Sequence, residues 1–179
     1  IIFITLTLVI GKPMEEVFDK LQTGVANNAG WFFVLTVNIL VSFALYLAFS
    51  RFRHIRIGGG RATPEFSTFG WFSMLFSAGM GIGLLFFSVA EPIFHLTNPP
   101  VESVGKAEAA RNAMKYTLLH WGLHAWAIYA LVALSLAFFT FNKGLPLTIR
   151  SAFYPLLGER IYGFWGHVID VIAVVATLF

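Results

Sequence analysis

The charged residues of this chain fall almost entirely in short segments, and the stretches between them are apolar over the length of a bilayer. Lys12, Glu15, Glu16, Asp19 and Lys20 form one such segment, and Arg51, Arg53, Arg56 and Arg61 a second. Glu102, Lys106, Glu108, Arg111 and Lys115 form a third, and Lys143, Arg150, Glu159 and Arg160 a fourth. A hydrocarbon core of about 30 Å takes about 20 apolar residues of helix, and backbone within it must satisfy its own hydrogen bonds. Only 12% of the 179 residues are charged, where a soluble domain carries about a quarter. The pattern predicts an all-α, polytopic helical membrane protein, with one transmembrane domain over 1–179. Full spans are expected at 31–50, 68–94 and 116–141, and partial ones at 1–10 and 168–179. Residues 1–10 are too short to span and lack the basic flank and cleavage site of a signal peptide. The chain therefore reads as a fragment that starts inside one helix and stops inside another.

Loop charge gives an orientation. Net charge runs −1 over Gly11–Gly30, +4 up to Arg61, +1 over Leu96–Lys115 and +2 over Asn142–His167. By the positive-inside rule the second and fourth loops are cytoplasmic. The pI of about 9.4 belongs to these loops and suits an anionic membrane surface; no stripe of basic residues tracks a nucleic acid. With no cysteine, disulfides and thiolate metal sites are excluded.

Inside the second full span, Gly79, Gly81 and Gly83 occupy every second position, and Glu91-Pro92 closes the run. Each glycine weakens a helix by roughly 1 kcal/mol relative to alanine. Gly79 and Gly83 also have the small-xxx-small spacing that lets membrane helices approach closely. Two readings stand together: a packing face, and a loosened helix beside a solute site of the kind discontinuous transporter helices build. Glu91 is an ionisable group within a span, which is expensive and usually functional. It is either an interfacial carboxylate that ends the helix before Pro92 or an ion pair that shapes a gate.

The segment His120-Trp121-Gly122-Leu123-His124-Ala125-Trp126-Ala127-Ile128-Tyr129 is the second feature. On one continuous helix with Trp121 at 0°, Ala125 falls at about 40°, Tyr129 at about 80° and Trp126 at about 140°. The rings then fan over one arc with small residues between them. Such rings can cage a quaternary ammonium group through their quadrupoles, or simply pack. His120 and His124, four apart, have a spacing that could bind a metal, but no glutamate follows His120. A packed, hydrogen-bonded histidine is the plainer reading, and no metal site is assigned.

The Gly79–Pro92 stretch together with His120–Tyr129 resembles the betaine/choline/carnitine transporter family, from about residue 30 to the end. Leu145–Pro155 and Phe87-Ser88-Val89 look most like its choline-transporter branch. The glycine stretch and the tryptophan helix look equally like its sodium-coupled glycine betaine carriers. The resemblance implies a LeuT-type inverted repeat, of which this chain holds the end of helix 1 to the start of helix 5. It implies that Trp121, Trp126 and Tyr129 bind a trimethylammonium substrate beside the unwound backbone of Gly79, Gly81 and Gly83. It implies ion-binding roles for Ala78, Met80 and Thr177.

The function expected is secondary active uptake of glycine betaine or choline for osmoprotection, in a bacterial inner membrane. Sodium is the favoured coupling ion, with protons as the alternative, and no other cofactor is expected. The partners implied are the small-molecule substrate, membrane lipid and, as often in this family, two further copies in a homotrimer. Two competitors from other classes are a membrane enzyme with metal at His120 and His124, and a non-transporting structural domain.

Overall fold

The computed structural model describes residues 10–103 and 105–178. Six main helices follow one another: α1 (Lys12–Phe49), α2 (Thr68–Met80), α3 (Ile82–Thr97), α4 (Lys106–His120), α5 (Leu123–Ala137) and α6 (Phe164–Leu178). No strand occurs among the described residues. Apart from Ile10, the partial span expected at 1–10 lies outside them. Among the described residues two helices are long and apolar enough to cross a membrane: α1, and the run Lys106–Asn142 that α4 and α5 make together.

Helix α1 differs from the expected loop-then-span. Its 38 residues run unbroken through Gly24 and Gly30, about 57 Å at helical rise. Pro13 sits in the first turn, where its missing N–H is harmless. Between there and Trp31, Met14, Glu15, Glu16, Lys20, Leu21, Gln22, Ala26 and Ala29 are good helix formers, so two glycines do not suffice to end the helix. The Asn28 side chain reinforces the weaker glycine by donating to the Gly24 carbonyl at 2.7 Å. The helix is almost twice the thickness of the hydrocarbon core, so polarity marks where it leaves the bilayer and not where it stops.

The second span is two helices joined at Gly81. Ser67 caps α2, its Oγ accepting the Gly70 N–H at 3.1 Å. Helix α3 passes through Pro92 and ends at Thr97. Glu91 therefore does not terminate a helix: proline removes one ladder bond, and the turns on either side carry the helix past it. The third span is also divided, at Trp121-Gly122, and α5 ends in a π turn over Phe138–Asn142.

Helix α3 packs along α4, and α1 along α5. The buried residues of α4 are Ala113 and Thr117, one turn apart, and small side chains of this kind let membrane helices close up. Those of α5 are Ala127 and Leu131. Elsewhere large apolar side chains face outward, Phe69, Leu85 and Trp31 among them. In lipid this is no penalty.

Two clamps hold the ends on the side assigned to the cytoplasm. Asn142 takes the Gly58 N–H on its Oδ1 at 2.9 Å and donates its Nδ2 to the Arg56 carbonyl at 2.8 Å. The two basic loops therefore meet. Further on, Arg150 grips Asp170 of α6: its Nε and Nη2 both lie 2.6 Å from Oδ2, and its backbone N–H reaches Oδ1 at 3.2 Å. Ile161 and Ser151 are buried beneath this joint. A Cβ on Gly166 would overlap the Ile161 carbonyl, so only glycine lets α6 start this close.

Asp170→Ala leaves Arg150 Nε, Nη2 and the backbone N–H without their acceptor, while Nη1 keeps the Ile161 carbonyl at 3.3 Å. Lost hydrogen bonds to a charged group are worth about 1.5–3 kcal/mol. The expected result is a lower thermal midpoint for the full-length protein in detergent, with Asp170→Asn falling between the two; differential scanning fluorimetry reads it.

Candidate functional site

A cavity of about 1000 Å³ opens between α2 and the α4–α5 run. Seven aromatic rings line it: Trp71, Phe72 and Phe76 from α2, Phe87 from α3, and Trp121, Trp126 and Tyr129 from the far wall. Ala125 and Ala133 lie between the rings on α5 and leave the space open. Of the residues expected to bind substrate, Trp121, Trp126 and Tyr129 share this cavity. Gly81 and Gly83 are not in its wall. Gly81 is the joint between α2 and α3, and Gly83 lies in the first turn of α3.

The geometry of the tryptophans is not that of one continuous helix. Helix α4 ends at His120 and α5 begins at Leu123. A Cβ on Gly122 would come 2.6 Å from the Leu118 carbonyl, so the bend requires glycine here. The break frees the Trp121 carbonyl, which has no helical donor. The Trp126 indole N–H fills that role at 3.0 Å. Trp126 and Tyr129 then lie with ring centroids 5.9 Å apart, and Trp121 and Phe87 6.1 Å apart. His120 and His124 fall on different helices, so the spacing that suggested a metal pair on one helix face does not exist.

Behind the cavity wall sits Glu91, only 8% exposed. The Trp121 indole N–H donates to its Oε2 at 2.5 Å. His120 Nδ1 is 2.7 Å from Oε1, and His95 Nε2, one turn along α3, is 3.4 Å from the same oxygen. With Glu91 ionised both imidazoles act as donors, so three N–H groups, from α3, α4 and the turn after α4, meet one carboxylate. Glu91 is thus enclosed by side-chain donors from the helix it lies on and from the far wall.

The expected ion-site residues are further apart in the chain. Ala78 and Met80 lie in the final turn of α2, where a helix has no internal donors for its carbonyls. Their side chains, and the placement of Gly79 beyond its helical backbone, lie outside what is described. Thr177 lies in α6, its hydroxyl donating to the Val174 carbonyl at 2.8 Å.

The family model for the betaine/carnitine/choline transporters matches residues 1–179. The chain belongs to this family. Among curated relatives, a glycine betaine/proline/choline/ectoine transporter of Vibrio parahaemolyticus is 48% identical over 185 residues, covering 100% of this chain and 33% of that protein. Glycine betaine transporter 1 of the same organism is 48% identical over 183 residues, covering 99% of this chain and 35% of its own length. An osmo-independent choline transporter of Acinetobacter baylyi is 43% identical over 177 residues, 99% of this chain and 34% of that protein. The chain spans about a third of the length of these relatives. All three are named as transporters, and the family is one of transporters and not of metal enzymes.

For this member of the betaine/carnitine/choline family, reading from the sequence missed the near wall. Trp71, Phe72 and Phe76 precede the glycines, and the four-residue spacing of Phe72 and Phe76 stacks their rings at 6.3 Å between centroids. That spacing was the available signal. His95 was also passed over, although it lies one turn from Glu91.

Gly122→Ala forces the backbone at the break to move. Overpacking of this sort costs about 1–3 kcal/mol. The expected outcome is weaker solute binding by the full-length transporter, read as a loss of solute-dependent tryptophan fluorescence change. Gly24→Ala, in α1 with open space around its Cβ, leaves that signal unchanged.

Proposed function

We propose that this chain forms part of the solute pathway of a secondary transporter that takes up a trimethylammonium compound, glycine betaine or choline, across a bacterial inner membrane. The observation that carries this reading is the cavity shared by Trp121, Trp126, Tyr129, Trp71, Phe72, Phe76 and Phe87. A trimethylammonium head is a cation with no N–H donor, so hydrogen-bond acceptors cannot hold it. Ring faces can, and each desolvated cation–π contact contributes up to about 2 kcal/mol. Several such contacts capture the head and still allow release. Glycine betaine and choline share that head and differ at the other end, and the relatives' names include both.

Sodium is the coupling ion this reading favours. The glycine stretch Gly79, Gly81, Gly83 is intact, Ala78 and Met80 offer last-turn carbonyls, and Thr177 offers a hydroxyl. The cargo and the ion together fit accumulation of a compatible solute for osmoprotection.

The test is uptake of labelled glycine betaine and choline by the full-length protein in proteoliposomes, under an inward sodium gradient or a proton gradient alone. Sodium-dependent uptake is expected. Choline uptake driven by protons alone would retain the cavity and remove Ala78, Met80 and Thr177 from the ion site. Uptake of neither solute would overturn the reading. Trp126→Leu takes away one ring face and the bond to the Trp121 carbonyl, and is expected to raise KM by about tenfold or more.

A further inference from the structure

We propose that Glu91 is a positioning residue for the aromatic cavity, holding Trp121 directly and Trp126 through the Trp121 backbone. This rests on the trimethylammonium reading of the same cavity. Glu91 does not line the cavity wall, whereas His120 and Trp121 do. Whatever it does to a solute there, it does through them.

Its two oxygens divide the work. Oε1 faces the two imidazoles, His120 Nδ1 at 2.7 Å and His95 Nε2 at 3.4 Å. Oε2 takes the Trp121 indole N–H at 2.5 Å. Trp121 needs that anchor. It lies between α4 and α5 and belongs to neither, so helical rotamer preferences do not fix its ring. Its backbone is held from below, its N–H donating to the Thr117 carbonyl at 3.0 Å. Its own carbonyl then receives the Trp126 indole N–H at 3.0 Å. From Glu91 the order runs to the Trp121 ring, to the Trp121 carbonyl, to the Trp126 ring, and by ring contact to Tyr129.

The bond to Trp121 has an electronic consequence as well as a geometric one. An N–H that donates to a carboxylate makes a charge-assisted bond, and in a low dielectric the donor group is polarised by it. Electron density pushed onto the indole makes its face more negative, and the face is what attracts a quaternary ammonium. A buried anion at the ring's edge, outside the cavity wall, therefore strengthens cation binding without contacting the cation. It also explains why an ionisable group is kept inside a span, where it is expensive.

The experiment uses the full-length transporter in proteoliposomes and whichever of labelled choline or glycine betaine the wild type carries. Glu91→Ala is expected to raise KM by about tenfold while changing the maximal rate less, the size of one lost cation–π contact. Glu91→Gln keeps an acceptor for the indole N–H but not the charge, and is expected to fall between wild type and Glu91→Ala. The deciding measurement is a double-mutant cycle with Trp121→Phe, which keeps a ring and removes the donor. If Glu91 acts through Trp121, changing Glu91 in the Trp121→Phe background adds little further to KM. Should Glu91→Ala fail to fold, the same cycle is run with Glu91→Gln. Additive effects, or a Glu91 variant with KM unchanged and only the maximal rate reduced, would overturn the proposal and leave the cavity reading intact. A wild type that carries neither solute ends both.

Discussion

A carboxylate enclosed between two membrane helices has to be met by donors, and much of this structure follows from how Glu91 is met. Lipid supplies none, so they must come from protein. One comes from its own helix, His95, one from the last residue of α4, His120, and one from Trp121 just past it. Reaching Glu91 with two consecutive side chains is something a regular helix does poorly, because neighbours point about 100° apart. The α4 helix ends at that point, and Trp121 stands outside it. The small surface of Ala113 and Thr117 brings α4 close enough to α3 for the reach to succeed.

Ending a helix within a membrane span creates a second demand, since freed backbone groups must also find partners. Those of Trp121 and Gly122 do. The Trp121 and Gly122 N–H groups turn back to the Thr117 and Leu119 carbonyls, and the Gly122 carbonyl starts α5 by accepting from Trp126 N. The Trp121 carbonyl takes the Trp126 indole. One side chain thus repairs the ladder and, in doing so, turns its ring toward the cavity. The polar need of the backbone and the placement of the aromatic wall are the same fact.

What could be read in the sequence, and what could not, divides along this line. The class of fold is carried by where the charges are absent, a property of long stretches that no single contact overturns. The grouping of Trp121, Trp126 and Tyr129 was also legible, but through a wheel drawn for an unbroken helix. The rings meet in one cavity because the helix is broken, and a wheel does not see the Leu118 carbonyl that forbids a side chain at Gly122. The polar stretch Gly11–Gly30 read as a loop because polarity between spans usually means one; local helix propensity and the absence of any strong stop carried α1 through it. Trp71, Phe72 and Phe76 sat in plain view yet carried no polar signal. Asp170 was hidden by the apolar run around it, and its partner Arg150 is twenty residues away.

The two breaks in these spans are not equivalent, and the difference bears on how the cavity is held. The one at Trp121-Gly122 is bridged by three backbone bonds and the indoles of Trp121 and Trp126, so the far wall is tied to α3 through Glu91. At Gly81, among the described residues, Leu85 N–H reaches the Gly81 carbonyl at 3.4 Å. Among the described residues α2 packs along no helix but α3. It faces α4 and α5 across the cavity, with the rings of Trp71, Phe72 and Phe76 half exposed there. The width of the cavity therefore varies with the angle at Gly81. A solute whose head touched both walls would stabilise one such angle over others, since a ligand shifts an equilibrium by its difference in affinity for the two states. The last-turn carbonyls of α2 lie beside the same joint, where a cation that needs oxygen ligands would act on the same angle.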